Sequence, residues 1–460
     1  MKVILLDWNS YGNKYIENAF RELDFVVEKL PYDGKLHGKD AEQQENRLRE
    51  LLRREKPDLV FGFNYIPAVS IICQEYLDTV VRAGSIGNFY YVSWIYDSPF
   101  LDVYSYTVTN PVNRIFHFDG AVVQEFVDGG IPTVFHLPLG YGSLESDSCD
   151  TAKMDAKTNA SSTVVVDKKI DREVSGENKV IQYTSDISFV GSLYSEPKHR
   201  LYDKFSGMAA YEKGYLDALI EAQKHVYGDN FLCRMLTDNV LTEMEKCYPT
   251  DPNPTTAMTP AQMYAEFVLS RQVTAMERRE ILSMLGKIDG RDLQELGMRQ
   301  EIAKDSDAFL MDEEKNKDHG VKIIRNLYTN DAAVTFAGWS NKGPVDYYKE
   351  MSSIFATSKI NLNITLRSIK TGIPLRALDI MGAGGFLLTN YQAELLDYFV
   401  PGEDFDYYTD YEDLKNKIAF YLENDEIRER IAQNGCRKVR EGHTIKQRLC
   451  LMLEALFPAP

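Results

Sequence analysis

Short apolar runs alternate with stretches whose apolar residues recur every three or four positions over the first 138 residues. That is how strands and amphipathic helices taking turns are written in a sequence. Residues 3–6 predict a strand, and Ile16, Ala19, Phe20 and Leu23 follow at the spacing of one helix face. Later runs predict strands over 25–30, 59–63, 90–95, 121–123 and 134–137, with helices around 40–55 and 67–82. Alternation of this kind builds a parallel sheet with helical crossovers. Residues 1–142 are therefore expected to form a first Rossmann-like domain.

The pattern fails over 143–180, where Ser, Thr, Asp and Lys dominate and residues 164–166 supply the single apolar cluster. A stretch of that composition cannot bury a core. It predicts an exposed connection, bounded at 143–185, that serves as a surface insertion or as a lid or partner-binding loop. After a strand over 187–190, a long helical region spans about 198–330, interrupted at Pro252, Pro254 and Pro260. Strands then follow at 334–337, 360–363 and 386–389, with helices over 347–358, 374–382 and 414–422. Residues 186–443 thus read as a second doubly wound domain carrying a helical insertion at 205–320. A last helix within 444–460 places Leu449, Leu453 and Leu456 on one side, which suits docking on either domain. No internal repeat is visible.

Length supports two domains, because 460 residues exceed what one hydrophobic core usually holds. No apolar run reaches the roughly 18 residues of a membrane span. The opening MKVILLDWN is too short in apolar residues for a signal peptide. Six cysteines lie far apart without a C-x-x-C pair or neighbouring histidines, as expected of reduced thiols in a cytoplasmic protein. A formal charge of −17 excludes a broad nucleic-acid footprint. It leaves room for a small anion at a local basic cluster.

Candidate chemistry concentrates in GIPLRALDIMGAGGFLLT, residues 372–389. Pro374 suits a first-turn helix position, and Arg376 and Asp379 stand three apart on that helix, so both can face one ligand. The same spacing also fits a surface ion pair. Gly382, Gly384 and Gly385 then end the helix before the next strand. In open parallel sheets ligands lie beyond the carboxyl ends of strands, next to helix N-termini that favour phosphate.

The run of Asn363, Gly372, Pro374, Arg376, Asp379, a Gly-Gly turn and an aliphatic strand resembles the nucleotide-sugar motif of CgeB-like glycosyltransferases, within the group 1 GT-B superfamily. KPDLVFGFNY, YYVSWIYDSP, HLPLGY and DISFVGSLY resemble that family's other motifs in the same order. The resemblance implies a GT-B fold, two Rossmann-like domains facing across a cleft. It implies an enzyme that moves a sugar from a nucleotide-diphosphate donor, a UDP-sugar being favoured, to a hydroxyl on a protein or glycan. The donor is a substrate and no cofactor is expected. Asp379 would accept hydrogen bonds from the donor's ribose, as a carboxylate does well. Arg376 would sit near the diphosphate or order the loop. Gly191 and Ser192 would let phosphate approach the backbone, with Lys198 as a nearby cation. Trp339 either lines the base pocket or packs in the core.

The superfamily often carries a second carboxylate eight residues before the ribose-binding one, and here that position is Thr371. Retention and inversion both stay open. On the acceptor side, Asp97 in SWIYDSP follows a predicted strand and is the candidate base or acceptor-positioning group; it equally suits a turn cap before Pro99. His117 and His136 are alternatives. The strings Asp305-Ser306-Asp307 and Asp404-Phe405-Asp406 lack a nucleotide-binding context, so a metal-independent reaction is expected. Two rivals use the same residues differently: a sugar-nucleotide epimerase, and a non-catalytic assembly protein of a cell-surface or spore layer.

Overall fold

The computed structural model describes residues 1–457 apart from 9, 11, 83–88, 143–182, 252–253, 290–291, 293–322 and 332. The connection expected over 143–180, the end of the insertion expected over 205–320, and Asp305 to Asp307 lie wholly or largely outside the described residues.

The first sheet holds β1 (Lys2–Asp7), β2 (Val26–Pro31), β3 (Leu59–Phe63), β4 (Tyr90–Ile95), β5 (Asn113–His117) and β6 (Val134–His136) in the order β2-β1-β3-β4-β5-β6. Every neighbouring pair is parallel. The crossovers are α1 (Asn13–Glu22), α2 (Gly38–Glu55), α3 (Pro67–Arg82) and α4 (Gly120–Asp128). The strand expected at 121–123 is instead the start of α4. Asp119 caps that helix by accepting from the Ala121 N–H at 3.2 Å, and Val122, Val123 and Phe126 then turn inward with helical spacing. The neighbouring strand β5 escaped the hydrophobic pattern, because Asn113, Arg114 and His117 leave only Ile115 and Phe116 apolar within it.

The second sheet holds β7 (Ser185–Val190), β8 (Arg325–Tyr328), β9 (Ser340–Asn341), β10 (Ser358–Asn363), β11 (Leu387–Asn390) and β12 (Asp406–Tyr408), again all parallel, in the order β12-β11-β10-β7-β8-β9. The order reverses at β7, which puts the switch point between β7 and β10. No strand forms over 334–337: Val334 and Phe336 pack on the core from a loop. The helix expected over 347–358 shortens to α10 (Met351–Ala356). Asp346 accepts from the Tyr348 and Lys349 N–H groups at 3.0 Å and holds the preceding residues as turns, while Ser358 already belongs to β10.

Between β7 and β8 lie α5 (Ala210–Lys224), α6 (Leu232–Met235), α7 (Asp238–Cys247), α8 (Pro260–Met263), a π-helical turn over Tyr264–Leu269 and α9 (Ser270–Lys287). They share a core of their own around Phe205, Leu216, Leu232, Met244 and Leu269. After β10 come α11 (Leu375–Gly382), α12 (Leu395–Tyr398), α13 (Tyr411–Glu423), α14 (Asp425–Gly442) and α15 (Ile445–Leu456). Thr444 opens α15 with a capping box to Gln447. The Ile445 N–H then donates to the Tyr141 carbonyl at 3.0 Å, and Arg448 Nε reaches the Leu139 carbonyl at 3.4 Å. Leu449, Met452 and Leu456 are buried, and α15 packs along α1 of the first domain. The two sheets with their flanking helices form a two-domain α/β GT-B fold. One apolar cluster runs across both domains, from Val3, Phe61 and Phe118 through Tyr141 to Ile373, Ala377 and Met381.

Candidate functional site

The carboxyl ends of the two sheets face each other and are drawn tightly together. Beyond β5, the Asp119 carboxylate accepts from the N–H groups of Lys370 (2.6 Å) and Thr371 (3.2 Å) and from the Thr371 hydroxyl (3.0 Å), all in the loop after β10. Glu394 closes the same junction by accepting from the Gly120 N–H at 2.7 Å, with the shared Thr371 hydroxyl 2.7 Å and His136 Nε2 2.9 Å away. Pairing with Glu394 raises the pKa of His136, whereas burial lowers that of His117 to about 3 and keeps it neutral. Lys370 ties three parts of the fold by pairing with Glu125 of α4 and with Glu266 of the π-helical turn.

Two glycines make this approach possible. A Cβ on Gly372 would lie 2.8 Å from Asp119 Cα and from the Phe118 carbonyl oxygen, and one on Gly382 would lie 2.5 Å from the Tyr141 ring. Thr371, the position without the family's second carboxylate, is consumed by the junction.

Helix α11 starts after Pro374 and buries Ala377, Leu378, Ile380 and Met381 against the shared core. Asp379 comes with them and is only 6% exposed, so no surface ion pair forms. Its Oδ1 accepts from the Tyr347 hydroxyl at 3.0 Å. Burial lifts its pKa to about 6, with Arg376 and the Tyr347 hydroxyl pulling the other way. Arg376 itself lies against Met351 Sδ and 5.5 Å from the Phe355 ring centre. Tyr347 and Tyr348 reach across to the first domain, where Tyr15 packs against both rings and the Ser10 carbonyl accepts from Tyr348.

Beside Tyr347 the domains enclose a cavity of about 30 Å³, lined by Tyr15, Phe63, Trp94 and Tyr96 from one side and Tyr347 and Leu375 from the other. Asp97 lies two residues beyond β4 at the exposed rim and accepts from Asn64 Nδ2 at 2.7 Å. Desolvation by the surrounding chain raises its pKa, with the Asn64 bond and Lys35 opposing.

At the switch point of the second sheet, Gly191 follows β7 and a Cβ there would meet the Phe189 ring at 3.1 Å. The carbonyl of Ser192 accepts from Arg278 Nη1, and the carbonyl of Ile364 after β10 accepts from Arg278 Nη2 and, at 3.2 Å, Nε. A guanidinium buried between two strand ends makes the floor of this crevice positive. Arg278 was not legible in the sequence, because an arginine inside a helix carries no motif. Nor was Asp119, whose HFDG context reads as an ordinary turn.

The other expected residues serve nearby. Asn363 donates to Thr365 (3.1 Å) and Thr389 (2.9 Å) across β10 and β11. Trp339 donates from Nε1 to the Leu282 carbonyl at 2.8 Å and packs on the second domain's core. Lys198 has a 69% exposed side chain paired with Glu196 at 2.6 Å. Asp404 and Asp406 pair with Lys438 and Lys417. Among the described residues no helix is long and apolar enough to cross a membrane, and no group of three or more metal-ligating side chains occurs.

Residues 308–454 match the family model described as glycosyl transferase-like. The match takes in β8, the loop after β10, and α11 with Arg376 and Asp379. No curated protein matches the chain. Among solved structures, HepE of Anabaena in complex with UDP and glucose is similar at 10% identity and a TM-score of 0.42, covering 99% of this chain and 100% of that one. T4 phage BGT in complex with UDP-glucose is similar at 8% identity and a TM-score of 0.44, covering 99% and 100%. A putative UDP-N-acetylglucosamine 2-epimerase from Listeria monocytogenes is similar at 11% identity and a TM-score of 0.40, covering 100% and 97%.

Proposed function

We propose that this chain transfers a sugar from a nucleotide-diphosphate donor, a UDP-sugar being favoured, to a hydroxyl on a protein or glycan, without a metal. The observation that carries the reading is Asp379: a carboxylate buried beside the facing strand ends, on a helix within the glycosyl transferase-like residues, with Arg376 one turn away. A carboxylate kept there at a raised pKa gains its hydrogen-bonding partners when a ribose enters, so the ligand offsets the cost of burying it. Gly191, Ser192, Gly372 and Arg376 border the donor's phosphates, Asn363 and Trp339 support the walls, and Lys198 is a more distant cation. Asp97 at the rim acts on the acceptor, as base or as positioning group. A cytoplasmic setting belongs to the same reading and rests on the isolated thiols.

A donor is far larger than the cavity beside Tyr347, so binding requires Tyr347 to leave Asp379 and the domains to part at that side. That narrow cavity also fits the second reading, a non-catalytic assembly protein. Incubation with UDP-sugars and acceptor hydroxyl compounds, read by mass spectrometry, separates the two. Transfer supports the proposal; an epimerised sugar nucleotide without acceptor, or no product from any donor, overturns it.

A further inference from the structure

Beyond β7 the chain turns through Tyr194, whose φ of 53° places it in the left-handed region, and three basic side chains gather on its ring. Arg278 lies 5.3 Å from the ring centre and Arg271 5.7 Å, while the His199 ring meets it edge-on at 5.2 Å. Arg278 is already committed to two carbonyls. Each of the other two keeps an open position: among the described residues Arg271 Nε and His199 Nδ1 are buried without a hydrogen-bond partner. A buried donor left unsatisfied costs ~1–3 kcal/mol, which a ligand recovers by accepting from it. The carboxylates nearest this turn are engaged elsewhere, Glu196 by Lys198 and Asp331 by the Ser195 hydroxyl. In a chain of net charge −17, a guanidinium with no carboxylate partner among the described residues marks a place that waits for an anion.

We propose that the ring of Tyr194 with Arg271, Arg278 and His199 forms the seat of the donor's diphosphate, and that His199 takes up a proton when the seat fills. The inference rests on the nucleotide-sugar reading above and names residues that reading did not include. Arg271 supplies the free N–H groups and Arg278 supplies charge beneath them. The groups facing His199 are Lys198 and Glu196 from its own turn, Arg271 from α9 and the Tyr194 ring. Burial, Arg271 and Lys198 keep the empty histidine neutral, while Glu196, at 3.8 Å, opposes them weakly. The diphosphate dianion in contact reverses the balance, because an opposite charge favours the protonated ring. The proton comes from solvent and no covalent bond changes.

The test is titration calorimetry with UDP, GDP, ADP and inorganic pyrophosphate on the full chain, in buffers of different ionisation enthalpy between about pH 6 and 8. Wild type is expected to take up a proton on binding, its affinity rising by up to tenfold per pH unit as pH falls. Arg271→Ala is expected to lose about 10- to 150-fold in affinity for pyrophosphate and for the nucleotide alike, and Arg271→Lys to recover part of it. His199→Asn is expected to lose the proton uptake and, with it, the rise of affinity as pH falls. Circular dichroism confirms that each variant is folded. Wild-type binding that Arg271→Ala leaves unchanged, or proton uptake that survives in His199→Asn, overturns this seat while the donor reading stands. Failure of wild type to bind any of the four probes overturns both.

Discussion

Replacing Asp379 by Asn should stabilise the empty protein at neutral pH while weakening donor binding, and the size of the first effect follows from the geometry. The Asp379 carboxyl is 6% exposed and has one donor, the Tyr347 hydroxyl at 3.0 Å. Burial moves its pKa from 3.8 to about 6. The folded state therefore binds the proton more tightly than the unfolded chain, and stability falls as pH rises between these values. Above about pH 6 the burden reaches its full extent, at most about 3 kcal/mol by the usual 1.36 kcal/mol per pKa unit. Asn keeps an acceptor for Tyr347 and removes the charge. Urea unfolding of wild type and Asp379→Asn from pH 4 to 8 should show a gap in favour of the variant that opens by up to ~3 kcal/mol as pH rises. Parallel pH profiles for the two proteins would refute the argument, since they would mean the carboxylate is not desolvated.

Gly372→Ala should lower stability by about 1–3 kcal/mol through overpacking, because backbone atoms of Phe118 and Asp119 stand 2.8 Å from the new Cβ and yield only if the domains shift. An unchanged urea midpoint would show that the junction is looser than described. Asp97→Asn should leave UDP affinity intact and reduce turnover by about 10²- to 10⁴-fold if it is the base; full turnover would remove it from that role. Transfer should survive EDTA if, as proposed, helix N-termini and basic side chains neutralise the leaving diphosphate. Complete loss restored by manganese would contradict that.

How legible the site was depended on whether local sequence or tertiary contact decided it. Strands such as β3, apolar throughout and bounded by Pro57 and Asn64, were readable because nothing outside the run changes their meaning. The residues at 121–123 were misread, because three apolar residues do not distinguish a strand from a helix turn until Asp119 is seen as a cap. Residues 334–337 failed for the opposite reason: the run is apolar because it packs from a loop. Arg376 and Asp379 stand out in the sequence through their spacing and context, whereas their surroundings do not. Tyr347, Arg278 and Asp119 come from loops and helices far away in sequence, and only the facing of the two sheets brings them to the cleft. The glycine at 372 looked like loop chemistry and proves to be the contact point between domains.

The central claim, that the facing strand ends bind a nucleotide-sugar donor through Asp379, is tested most directly by thermal unfolding of wild type and Asp379→Ala with UDP, GDP, ADP and their sugars. A ligand at 100 times its Kd adds ~2.7 kcal/mol to the folded state. Wild type should gain stability with one nucleotide series, and Asp379→Ala should lose ~1.5–3 kcal/mol of that binding energy. No shift of wild type with any nucleotide, or an equal shift in both proteins, would contradict the account.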